Sequence, residues 1–381
     1  MGRRRRRLRK IWICTDVWMD MFPFFDRPQL GLKLALLSPR FDVLVDKYFD
    51  GKSELPIWRP ITIRKDSVAK VPKLHVLIDA NSVEFPLPDH SLHNKIRFED
   101  LYIDFIDHSV ITFLRSNQQI WDKGTNLDLW MPTSYHIYVK RCWKVLVNEI
   151  WPIFAPNIHN FSNANWLLYE LRRLISPTIL TDLNPLNSIL SGNLLPDSIA
   201  DDGPNATRGQ ALSKWLHTPR TDGQLNRLFC GNYPILMMDI NKWIINFKEA
   251  FLRATNSSAS YKICLELHES TIETIDPFEL INERTSEKLT FEKEGGDRGN
   301  ANFVYWLLKR CQIGETATIN WEDEKTNNLN IVKFNLDGDD GDRIGRLSPP
   351  KAADKMNTKS RPKKKSKKKS AKRSGKRRKK K

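Results

Sequence analysis

Apolar residues follow two rhythms along this chain. Between residues 15 and 49 they fall at helical spacing; beyond residue 52 they come in short alternating bursts separated by amphipathic stretches. In the first region Val17, Met21 and Phe24 mark one helix, which Thr15 and Asp16 can cap and Pro23 should bend or end. Asp26 can cap a second helix, with Pro28 in its first turn and Leu30, Leu34 and Leu37 along one face. Ser38-Pro39 opens a third, which carries Phe41, Leu44, Val45 and Tyr48. A unit below about 40 residues seldom buries enough surface to be stable alone. The trio therefore needs a neighbouring domain or a partner.

The second rhythm predicts strands alternating with helices. "WRPITIRK" and "KLHVLID" read as strands, and further strand-like cores begin near residues 101, 127, 158, 188, 227 and 262. Helical runs follow them, among them "HSVITFLRSNQQIW", "WLLYELRRLI", "RGQALSKWLH" and "INKWIINFKEAFLRAT". A recurrence of this kind predicts a β-α solenoid whose units bury their faces against neighbours. The L-x-x-L-x-L string is absent, so the expected form is an irregular leucine-rich-repeat-like arc with a strand at Leu101–Ile106. An ordinary α/β domain with a mixed sheet is the alternative. "PFELINERTSEKLTFEKE" reads as a hairpin turning near Arg284–Ser286 and closing the last edge. A second pair, "ATINWEDE" with "NIVKFNL", would finish the fold near Leu336. Residues 337–381 lack apolar periodicity, bury too little to offset chain entropy, and are expected to be disordered.

The residues of the first region carry a resemblance. "DVWMDMFPFFDRPQLGLKLALLSPRFDVLV" resembles the F-box, the helical module that docks on the Skp-type adaptor of cullin–RING ubiquitin ligases. Asp16, Val17, Met21, Phe24, Leu30, Leu34, Leu37, Phe41 and Leu44 match its pattern. "IDHSVITFLRSNQQIWDKGT", "IADDGPNATRGQALSKWLHTPR", "NERTSEKLTFEK" and "LLKRCQIGETA" look like the nematode-type F-box proteins, so the resemblance spans about residues 16–335. One departure is plain: Ile13-Cys14 stands where the family has Leu-Pro, which removes part of the usual adaptor contact. The resemblance implies an F-box-like module at 12–50, docking on the adaptor through Val17, Met21, Phe24, Leu30, Leu34, Leu37, Phe41 and Leu44. It also implies a β-α domain at 51–336 that binds a protein substrate beside the cullin scaffold. Such a subunit of an SCF-type ligase performs no bond chemistry; it raises the effective concentration of the target.

Charge adds an address. The 381-residue chain carries a net +17, but Arg3–Arg7, Arg9 and Lys10 in an arm at 1–11, and the 18 Lys and Arg of 351–381, more than supply it. The body between is acidic. Lys363, Lys364, Lys365, Lys367, Lys368 and Lys369, then Lys376, Arg377, Arg378, Lys379, Lys380 and Lys381, resemble importin-read nuclear or nucleolar signals. The same charges support non-specific nucleic-acid contact, so the alternative reading is a nuclear RNA- or DNA-associated protein working through its tails. A nuclear or nucleolar location with a cytoplasmic pool is expected. Five scattered cysteines and no secretory signal suggest reduced thiols, and no apolar run approaches a bilayer's span, so no membrane is expected. No cofactor or metal is expected either. Cys264 and His268 lack a second ligand pair, and Asp337–Asp342 lacks the glycine and closing glutamate of a calcium loop. Seven tryptophans (Trp121, Trp130, Trp143, Trp151, Trp166, Trp215 and Trp243) are core rings or recognition anchors, and sequence does not separate the two.

Overall fold

The structure is a computed structural model. It describes residues 13–50, 57–58, 61–78, 81–88, 92, 97–98, 100–122, 124–131, 137–162, 164–192, 194–231, 240–256, 260–268, 275–294, 303–314, 330–336 and 343–348. The class is mixed α/β. Helix α1 spans Thr15–Met21 and tightens into a 3-10 turn at Phe22–Phe24, where Pro23 needs no donor. Arg27–Gln29, a π segment Leu30–Leu34 and Ala35–Leu37 run on as α2, and Pro39–Asp50 is α3. The expected cap of α1 shifts: Cys14 holds the N-cap position and makes no side-chain cap bond. Ser38 caps α3 as expected, its hydroxyl accepting from the Phe41 amide at 3.4 Å.

Thirteen strands form one sheet among the described residues. In chain order they are β1 (Ile61–Lys65), β2 (Pro72–Ile78), β3 (Asn81–Pro86), β4 (Asp100–Ile103), β5 (Thr125–Trp130), β6 (Ile158–Ser162) and β7 (Ser188–Leu190). They continue as β8 (Asn226–Cys230), β9 (Tyr261–His268), β10 (Phe278–Asn282), β11 (Glu287–Lys293), β12 (Phe303–Gln312) and β13 (Asn330–Asn335). Across the sheet the order is β10-β11-β12-β9-β8-β7-β6-β5-β13-β4-β1-β2-β3. From β1 to β9 all neighbours are parallel, and the two margins are antiparallel meanders. Helices connect successive parallel strands: α4 (His108–Ser116), α5 (Ile137–Val145), α6 (Ala164–Leu174), α7 (Arg208–Leu216) and α8 (Ile240–Arg253). Parallel neighbours demand such crossovers, because a tight turn cannot reverse the chain twice.

Register explains why the sheet holds together. Val83, Val76, Ile61, Leu101, Val332, Leu127, Phe161, Ile189, Leu228, Ile263, Leu308, Phe291 and Phe278 stand opposite one another in turn, one from each strand. This apolar row lies in the main core with the inner faces of α4 to α8. Each of these residues has a polar neighbour on at least one side, so slipping a strand by one residue in that direction would bring a polar side chain into the row. Asparagines then close the helix ends on this side. Asn226 Nδ2 donates to the carbonyls of Trp215 and Thr218 at 2.9 Å after α7, and Asn282 Nδ2 to those of Phe251 (2.7 Å) and Ala254 (3.0 Å) after α8. Buried carbonyls at a helix C-terminus need such donors.

Two expectations are corrected. "NIVKFNL" does not pair with a neighbour at the end of the fold. As β13 it inserts in parallel between β4 and β5, and its expected partner "ATINWEDE" lies outside the described residues. The strand order is therefore interrupted, and the body is no simple stack in which each unit meets only its neighbours. The packed chain also continues past 336. Ile106 and Arg343 share a 2.8 Å backbone bond, His108 donates to the Arg346 carbonyl at 2.8 Å, and Ile344 is buried. The hairpin stands where it was expected, with its turn between β10 and β11 and Ser286 at φ 56°. The arm at 1–11 and the two basic clusters lie outside the described residues.

Candidate functional site

The helical trio has a small core of its own. Phe22, Leu30, Ala35, Leu44, Val45 and Phe49 are buried together, with Trp18, Phe41 and Tyr48 packed around them. Edge-to-face pairs Trp18–Phe41 (centroids 4.7 Å apart) and Phe22–Tyr48 (5.5 Å) fix the angles between helices. The other side of α2 joins the trio to the sheet. Leu32 is buried in the main core, and the Lys33 ammonium sits 5.0 Å from the centre of the Phe85 ring.

This packing divides the eight residues expected to meet an adaptor. Leu30 (0% exposed) and Leu44 (7%) are structural: their side chains hold the trio and present nothing to a partner. Leu34 and Phe41 are partly buried against the same core. Val17, Met21, Phe24 and Leu37 are exposed, Phe24 at 88% and Leu37 at 70%. Val17, Met21 and Phe24 stand four and three residues apart, so they form one stripe along α1 and its 3-10 turn. Val43 on α3 is exposed as well; helical spacing had not singled it out.

The sheet face turned away from the apolar row offers a second surface. Residues one position off that row carry Tyr102, Lys333, Asp128 and Ser162 in direct register on β4, β13, β5 and β6. Beside them opens a cleft of about 430 Å³ lined by Thr62, Arg64, Tyr102, Asp104, Trp130 and Lys333. Trp130 is half exposed there, its indole N–H donating to Asp128 Oδ2 at 3.2 Å. Lys333 Nζ donates to the Tyr102 hydroxyl at 3.0 Å. Burial opposes its charge, but that bond and nearby Asp100 outweigh it and raise the ammonium's pKa. The other described tryptophans of the sequence reading (Trp121, Trp143, Trp151, Trp215 and Trp243) are buried. Trp130 is thus the candidate anchor, a distinction that strand periodicity alone did not make.

A third region is a cavity of about 280 Å³ lined by Ser198, His217, Phe251, Tyr261 and Arg310, among others. Arg310 Nη2 donates to Glu287 Oε2 at 2.6 Å, and both groups are buried. His217 Nδ1 lies 2.8 Å from the Ser213 carbonyl, which can only accept, so Nδ1 carries the proton. Nε2 then accepts from Arg310 Nη1 at 3.3 Å. Burial, and then the Arg310 charge, push the imidazole pKa down to about 4. The arrangement holds a neutral histidine beside the Arg310–Glu287 ion pair. Cys230 is buried, and desolvation pushes its thiol up to about 12. Cys264 is buried in β9, while His268, on the same strand face, packs edge-on to Phe303. Among the described residues no group of three potential ligands could hold a metal ion, and no helix is long and apolar enough to cross a membrane. No family model, curated protein or solved structure matches the chain.

Proposed function

We propose that this chain is the substrate-recognition subunit of an SCF-type ubiquitin ligase. The exposed apolar stripe Val17–Met21–Phe24 carries this reading, because it stands outside a trio that already has a filled core. Side chains of that size left in water beside a complete core mark an interaction surface. On this reading the stripe, Leu37 and the F-box resemblance serve the Skp-type adaptor and, through it, the cullin. The irregular leucine-rich-repeat-like body presents a target protein at the Trp130 face. Replacing Phe24 and Leu37 with Asp tests it. Both side chains are exposed, so far-ultraviolet circular dichroism should not change, while adaptor recovery in a pull-down should fall at least tenfold. Adaptor recovery equal to the parent's removes the assignment.

The competing reading is a nucleic-acid-associated protein, and the 18 basic residues of 351–381 favour it. Such binding would weaken steeply with salt, since each neutralised phosphate releases counterions. Importin recognition of the same clusters would supply a nuclear or nucleolar location.

A further inference from the structure

Alternation along β12 sends Trp306, Leu308 and Arg310 to the core face, and all three are buried. A cation at a core position breaks the pattern that the rest of the strand obeys, and such breaks gather at functional sites. Glu287 answers its charge, so the pair needs no further anion. The guanidinium is nonetheless incompletely bonded. Nη2 donates to Glu287 and Nη1 to His217 Nε2, while Nε is buried with no acceptor among the described residues. A buried N–H left in this way keeps its full desolvation penalty. Arg310 also lines the cavity of about 280 Å³. Tyr261 stands directly opposite it in the register of β9 and β12, with its hydroxyl beside the guanidinium. Phe247, Ala250 and Phe251 share one face of α8, and Ala254 follows it; together they make the cavity's apolar wall. A water would answer one N–H but gain nothing from that wall. A molecule with an acceptor at one end and an apolar body satisfies both.

We propose that this cavity binds a small uncharged molecule carrying an amide or carbonyl oxygen, which accepts from Arg310 Nε–H while its apolar body packs against Phe247 and Phe251. Charge decides the class. Glu287 already neutralises Arg310, and no other residue charged at neutral pH lines the cavity among the described residues. An anion would meet Glu287 behind the guanidinium, and a cation would meet the guanidinium itself, so the desolvation of either goes uncompensated. Size sets a further limit. About 280 Å³ lies just under the roughly 300–1,000 Å³ usual for ligand sites, which suits a molecule of one ring. The site goes beyond the adaptor reading and does not depend on it, since none of its residues belongs to the helical trio.

The test uses the full chain with benzamide as the probe, and benzoate and benzylamine as charged controls of the same shape. The Arg310 Nε–H is buried, so its cross-peak should persist in proton–nitrogen correlation spectra. Loss of that peak in Arg310→Lys, which keeps a cation for Glu287, assigns it. Benzamide should move the peak saturably and bind the parent at least tenfold more tightly than either control does. Arg310→Lys should lose at least tenfold in benzamide affinity. Ala250→Leu, which fills the cavity from α8, should abolish binding with circular dichroism unchanged; if it fails to fold, Ala254→Leu supplies the same plug. No saturable shift in the parent marks a cavity that takes water only and overturns the proposal. Benzoate or benzylamine binding as tightly as benzamide overturns the uncharged class. Benzamide binding that survives the plug puts the molecule elsewhere and overturns the site. Adaptor recovery enters none of these readings, so failure here and failure of the pull-down are distinguishable.

Discussion

Acidification should expose the cost of burying His217. In the unfolded chain its imidazole takes up a proton near 6.5, but in the fold only near 4. Between those values the unfolded state binds more protons, so stability is fully present above pH 6.5 and is lost as pH falls toward 4. The full difference is worth up to about 3 kcal/mol by linkage. Urea midpoints measured between pH 7 and 4.5 should therefore decline in the parent. In His217→Gln, which keeps a donor for the Ser213 carbonyl and an acceptor for Arg310, they should decline much less. A parallel decline in both proteins would assign the acid sensitivity to carboxylates. Nothing in "SKWLHTPR" announces this histidine. Its environment is assembled by Tyr261, Glu287 and Arg310, which are remote in sequence.

At the scale of elements, the F-box resemblance placed eight apolar residues of the trio on equal footing, and packing separates them. Leu30→Ala opens a void in the small core and should cost about 2–5 kcal/mol, whereas Phe24→Ala should stay within about 0.5 kcal/mol. Thermal melts of the two variants check this; a Phe24 effect as large as that of Leu30 would mean that Phe24 is a core residue. Helices this short carry apolar side chains on more than one face. Which face meets a sister helix, the sheet or water depends on neighbours that the spacing does not encode. The strands were more legible. Alternation placed the starts of β4 to β9 within two residues of where they lie, because each carries a buried face and a helix precedes or follows it in sequence.

For the whole molecule, β13 is the decisive element. It brings residues 330–335 between β4 and β5, so the end of the chain completes the start of the parallel sheet. Phe334 is fully buried and lies 5.7 Å from Phe154. Phe334→Ala should cost about 3–5 kcal/mol and should speed hydrogen exchange in residues 100–130, far away in sequence. Protection unchanged there would mean that the early strands fold without β13. The basic tail is predicted to act independently of all this. Deleting 359–381 should leave adaptor binding and circular dichroism as they were and shift a fluorescent fusion toward the cytoplasm, with deletion of the arginines at 3–10 as control. A tail-less fusion that stays nuclear would move the address elsewhere.

Sequence alone determined the local features: three helices within the first 50 residues, the β-α alternation, the hairpin near Arg284–Ser286, and a chain whose basicity sits at its two ends around an acidic body. Each follows from periodicity or turn chemistry within a few tens of residues, where chain connectivity already sets which groups meet. Tertiary structure decided the rest. It put β13 across a gap of some 200 residues, left Trp130 exposed while burying Trp121, Trp143, Trp151, Trp215 and Trp243, and aligned Arg227, Lys262 and Lys309 in one file. Those outcomes depend on strand order and register between remote segments, which no local pattern specifies.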